Sequence, residues 1–206
     1  MLLCDLSRVN LLERGRILEK IINYSTLKED FLMLISKELE AAINQQIGNE
    51  FGASLQYVSI ASYFDYQDLE ELAAFFNRQS DEERMHAMKF VDYILDTGGQ
   101  VRIPAIPAAR YDFQSAEGAV QTALDWELEV TRQINGLMDI AVEQRDYMGQ
   151  DFLRWFVTEQ REEVSTMTTL LNIVKRAKDN LLRVEEYLAR RPDPHAGEAG
   201  GESKAG

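Results

Sequence analysis

The chain has 206 residues, 45% hydrophobic and 28% charged, with a formal net charge of −13. That is enough for one domain with a substantial core, and no apolar run is long enough for a membrane span. The acidic balance disfavours nucleic acid and anionic membranes as partners and favours cations, while the single cysteine, Cys4, excludes an internal disulfide and fits a reducing cytoplasm.

Taken in chain order, the first 33 residues are of mixed charge and moderately apolar, and MLLC at the start is too short to supply a signal peptide. Helical periodicity then dominates, with no alternating strand pattern and no internal repeat. A first helix is expected over about 35–64. A second begins at Asp68, which with Glu71 reads as a D-x-x-E capping box, and runs to about Asp96. The connection after it holds DTGGQVRIPAIP and spans about twenty residues. A third helix starts near Ser115, a candidate N-cap, and ends around Arg145; a fourth follows almost at once, from about Asp146 to Lys178. NLLRVEEYLARR reads as a short fifth helix, and the tail 191–206 lacks large apolar residues and is expected to be disordered.

Short connections after the first and third helices make those pairs antiparallel neighbours. A helix of about 30 residues is roughly 45 Å long, a distance that twenty extended residues can cover. One long crossover and two short turns predict an all-α fold: a ferritin-like four-helix bundle with a long crossover and a short fifth helix.

Each buried stripe is interrupted near its middle by an acid. The first helix gives Ile43, Ile47, Glu50, Ser54, Tyr57 and Ala61; the second gives Leu72, Phe76, Gln79, Glu83, His86, Phe90 and Ile94. The third gives Val120, Leu124, Glu127, Val130 or Thr131, and Ile134; the fourth gives Leu153, Phe156, Gln160, Glu163, Met167, Leu170 and Val174. A lone Glu-x-x-His such as 83–86 is usually a surface pair. Four acids at matching heights in one core are another matter, because burying them is costly unless they are protonated or bound to cations. Oxygen ligands with one imidazole suit iron or manganese better than structural zinc. Met85, Met88 and Met167 read as core filler, and His195 in the tail is assigned no role.

The stretches NEFGASLQYVSIASYF, FFNRQSDEERMHAMKFVDYILDTGG, WELEVTRQIN and FLRWFVTEQREEV together resemble the non-haem bacterial ferritins, in order and at family spacing. The resemblance covers about 35–190 and is nearest the actinobacterial type. It implies an iron-storage protein with a ferroxidase centre of Glu50, Glu83, His86, Glu127 and Glu163, with Gln160 beside it. Glu50, Glu83 and His86 would hold the first iron; Glu127 and Glu163 would hold the second, with Glu50 or Glu83 bridging. Glu82, Glu159 and Glu162 match a third iron site that shares Glu163. Tyr57 matches a tyrosine lying against the centre, and Trp155 a nearby tryptophan.

The same resemblance implies Fe(II) and dioxygen or peroxide as reactants, ferric mineral as product, and a homo-oligomeric shell of two dozen subunits. Bacterioferritins carry a second Glu-x-x-His and a haem-ligating methionine; here those places hold Glu163 and Arg84, so no haem is expected. DNA-coating mini-ferritins lack the fifth helix and place iron between subunits, unlike this chain. Residues 1–33 lie outside the resemblance. Met33 stands where such a chain ordinarily begins, so we read the segment as arising from an upstream start rather than as an extra helix or targeting element.

Overall fold

The computed structural model describes residues 33–178 and 180–190, and among them every regular element is helical. They are α1 (Lys37–Asp65), α2 (Glu70–Asp96), α3 (Ala116–Glu143), α4 (Tyr147–Ala177) and α5 (Leu182–Ala189). None is long and apolar enough to cross a membrane. The extension, the tail with His195, and Cys4 lie outside the described residues.

Three of the helix starts follow from short polar side chains that accept from the first-turn amides. Ser36 accepts from Leu39 N, Ser115 from Gly118 N and Asp146 from Gly149 N. The expected capping box on α2 does not form. Asp68 has φ of 57°, the helix begins after Leu69, and no local side chain caps it. The cap comes instead from α5, where the Glu185 carboxylate accepts from Glu71 N at 2.8 Å and Leu72 N at 2.9 Å. An anion at a helix N-terminus satisfies orphan amides and meets the positive end of the dipole.

α1 packs on α2, α3 on α4 and α1 on α3, with α5 across the ends of α2 and α4. The crossover, residues 97–115, runs along α1 and is held by buried polar side chains of that helix. Glu40 accepts from Gln100 N, Asn44 from Arg102 N, and Gln56 both accepts from Arg110 N and donates to Arg110 O. Each pairs a loop backbone group that would otherwise be stranded against the bundle. The approach is close: a Cβ on Gly48 would collide with Pro104.

The apolar core is in two parts. One gathers Tyr57, Phe64, Leu72, Phe76, Val120 and Met167 near α5; the other gathers Leu39, Ile43, Phe90, Ile134, Leu153 and Phe156 at the opposite end. Between them lies the layer of interrupted stripes. On α3 the fully buried position is Ala123, with Leu124 only partly covered; Val130 is buried and Thr131 partly so. The methionines divide: Met167 is core, but Met85 and Met88 are exposed, because they flank His86 on the outward side of α2.

Candidate metal centre

Six polar side chains in the middle layer are no more than 3% exposed: Glu50 from α1, Glu83 and His86 from α2, Glu127 from α3, and Gln160 and Glu163 from α4. Glu83 and His86 sit three residues apart on one helix face, and Nδ1 of the imidazole lies 3.4 Å from Glu83 Oε2. Glu50, Glu83 and His86 each offer one ligand atom, and all three atoms lie within 4.8 Å of one another. Glu50 Oε1 accepts from Gln46 Nε2 at 2.9 Å. Its Oε2 is buried with no N–H or hydroxyl donor.

The other side of the layer is wired differently. Glu127 Oε1 accepts from the Tyr57 hydroxyl, and Oε2 from Gln160 Nε2 at 3.1 Å. The same Gln160 nitrogen reaches the Glu127 carbonyl at 3.3 Å and the Thr131 hydroxyl at 3.4 Å. Thus Glu127 has a protein donor on each oxygen.

Burial drives the electrostatics, with mutual repulsion second. Desolvation pushes Glu50 up to about 7, against hydrogen bonds from Glu83 and Gln46. Glu83 and Glu163 rise well above the ordinary carboxylate range, through burial first and then through neighbouring carboxylates, Glu127 foremost. Glu127 is raised by burial too, but the hydrogen bonds from Tyr57 and Gln160 oppose the rise. Burial and the Glu127 charge hold Tyr57 well above its usual value, so it stays a phenol and a donor. Without a cation the cluster must retain protons. A cation replaces them.

Of the expected third-site acids, Glu82 and Glu159 are partly buried and near enough to raise Glu163. Glu159 Oε1 lies 3.9 Å from His86 Nε2. Glu162 is exposed and paired with Arg161 at 3.0 Å. Trp155 meets His86 edge-on at 5.4 Å between ring centres, with Lys89 over its own ring at 4.5 Å. Reading the stripes missed Gln46, although it lies one helical turn before Glu50 on the same face; the i, i+4 spacing was the available signal.

A family profile described as "Ferritin-like domain" matches residues 40–177. A Mycolicibacterium smegmatis protein named ferritin BfrB is 42% identical over 172 residues, covering 81% of this chain and 95% of its own. A bacterial non-heme ferritin of Staphylococcus aureus is 37% identical over 147 residues, covering 71% and 89%. Among solved structures, an open pore ferritin from the archaeon Archaeoglobus fulgidus superposes with a TM-score of 0.74 at 30% identity, covering 77% of this chain and 99% of that one.

Proposed function

The chain belongs to the ferritin family, and on that premise we propose that it stores iron, oxidising Fe(II) at the four-acid layer and depositing ferric mineral inside a shell of two dozen copies. The observation that carries the reading is the acid layer itself: four buried carboxylates and His86 between two apolar cores, at a height where every stripe is interrupted. Glu50, Glu83 and His86 would hold one ferrous ion; Glu127 and Glu163 would hold another, with Glu50 or Glu83 between them. Two ferrous ions give two electrons to dioxygen, which with two protons becomes hydrogen peroxide. With peroxide as oxidant, the same electrons and protons give two waters. The carboxylates favour the ferric product because their charge offsets the added charge on the metal. Glu82, Glu159 and Glu162, leading outward from Glu163, would take iron leaving the layer.

Arg84, at the place of a haem-ligating methionine, offers haem iron no ligand atom, which supports a protein without haem. The net charge of −13 and the lack of a crossing helix among the described residues support a cytoplasmic protein that attracts cations. Residues 34–190 would form the storage unit, flanked by the 1–33 extension and the 191–206 tail. Native mass measurement together with ferrous titration tests the whole reading. A shell that takes up far more iron than it has ligand sets is the expected result; a monomeric or dimeric oxidase that turns over iron without retaining it would refute storage.

A further inference from the structure

We propose that Gln46 is a positioning residue for iron binding, and that Asn49, by donating to both Gln46 and Gln133, decides which end of the Gln46 amide meets Glu50. The inference rests on the reading of Glu50 as an iron ligand. Gln46 is 2% exposed and joins Glu50 to a string of side chains that leads out between α1 and α3. Gln46 Nε2 donates to Glu50 Oε1 at 2.9 Å, and Gln46 Oε1 accepts from Asn49 Nδ2 at 3.3 Å. Asn49 Nδ2 also donates to Gln133 Oε1 at 3.0 Å, and Gln133 Nε2 donates to Glu129 Oε1 at 3.2 Å. The outer members line a cleft of about 410 Å³.

The direction of this string follows from donor counting. A carboxylate stands at each end, Glu50 inside and Glu129 outside, and with a cation bound both are ionised and only accept. Each glutamine must therefore turn its NH₂ toward the carboxylate at its own end, which turns both amide oxygens toward the middle. The middle residue must then donate twice. Asn49 has an NH₂ with two hydrogens, and its oxygen is taken by Gln45 Nε2 at 3.2 Å. The count closes only with Asn49 as the double donor. The result is that Glu50 Oε1 is held by an amide, leaving Oε2 for a cation beside Glu83 and His86.

Asn49→Asp keeps the shape but replaces the double donor with an acceptor. Two inward oxygens then face a carboxylate, and relieving that contact turns the Gln46 oxygen onto Glu50 Oε1. Simple attraction predicts that the added negative charge tightens cation binding; the donor count predicts that it weakens it. Asn49→Ala removes the bond without forcing the turn, since water in the cleft can serve Gln46.

Titrating the metal-free assembled protein with Co(II), followed by its visible absorption, tests this. We expect about a tenfold or greater loss of affinity in Asn49→Asp, as for loss of an outer-shell partner, and no more than about threefold in Asn49→Ala. Asn49→Asp binding as tightly as wild type, or Asn49→Ala losing as much as Asn49→Asp, overturns the proposal. Should Asn49→Asp fail to assemble, Gln46→Met decides, because it removes the donor itself: reduced affinity supports the proposal and wild-type affinity overturns it. His86→Ala in the same titration separates the premise from the inference. If it binds Co(II) like wild type, the metal-centre reading has failed, and the string has nothing to position.

Discussion

The two sides of the buried polar layer differ in how many donors the protein provides. On the α1–α2 side, Glu50 Oε2 has no amide or phenol donor, only the neighbouring Glu83 carboxyl while that keeps its proton, and an imidazole completes three converging ligand atoms. On the α3–α4 side, Tyr57 and Gln160 already serve both oxygens of Glu127. An unserved buried carboxylate raises the energy of the metal-free protein and so favours any cation that relieves it. A served one gains less from a cation, which reaches only the lone pairs its donors leave. The α1–α2 side should therefore fill first and more tightly, and the α3–α4 side should yield its cation more readily.

Removing the imidazole gives the largest effect. His86→Ala should slow initial ferrous oxidation by more than about 100-fold, beyond what loss of an outer-shell partner costs, while the shell stays intact. Stopped-flow absorbance with native mass checks it. Lost assembly with normal oxidation in the assembled fraction would contradict the assignment.

Next comes the stability of the metal-free protein. Glu50 and Glu83 titrate above the ordinary value of 4.5 because they are buried. The folded state thus keeps protons that the unfolded chain releases near that pH. Stability is full below it and falls as pH rises through about 7 for Glu50 and further for Glu83. Glu83→Gln mimics the protonated form, so calorimetry should find it equal to wild type near pH 4.5 and progressively more stable than wild type as pH rises to 8. A variant that melts lower at both pH values would show Glu83 to be a satisfied structural residue.

On the served side the effects are smaller. Tyr57→Phe leaves Glu127 Oε1 without its donor and should cost about 1 kcal/mol in the metal-free protein. It should slow ferrous oxidation less than tenfold, roughly the value of one hydrogen bond. An effect as large as that of His86→Ala would erase the distinction between the two sides. The control lies outside both: deleting residues 1–32 should change neither assembly nor oxidation, as gel filtration and an iron assay would show.

Much of this was legible in the sequence, because the four stripes and the height of their interruptions depend only on helical periodicity. Ser115 was legible as a cap for the same local reason, and Asp146 as the start of a helix though not as its cap. What escaped depended on distant partners. The Asp68–Glu71 pattern looked like a cap, yet the carboxylate that performs it is Glu185, more than a hundred residues away. Glu40, Asn44 and Gln56 are buried without any part in the metal layer, because a long crossover needs partners for its backbone. Met85 and Met88 were placed inside from composition alone, whereas the stripe through Glu83 and His86 already turned them outward.

The Glu185 cap also sets a clock on the far end of the molecule. First-turn amides of a helix have no intrahelical acceptor and ordinarily exchange their hydrogens with solvent freely. Those of Glu71 and Leu72 are tied to a carboxylate, so their exchange should proceed only when α5 lifts away. An eight-residue helix has little stability of its own, and its lifting should be frequent compared with global unfolding. Glu83 lies three turns further along α2, beyond the reach of a frayed first turn. Deuterium uptake at these two amides would thus time the opening of α5 without touching the iron chemistry.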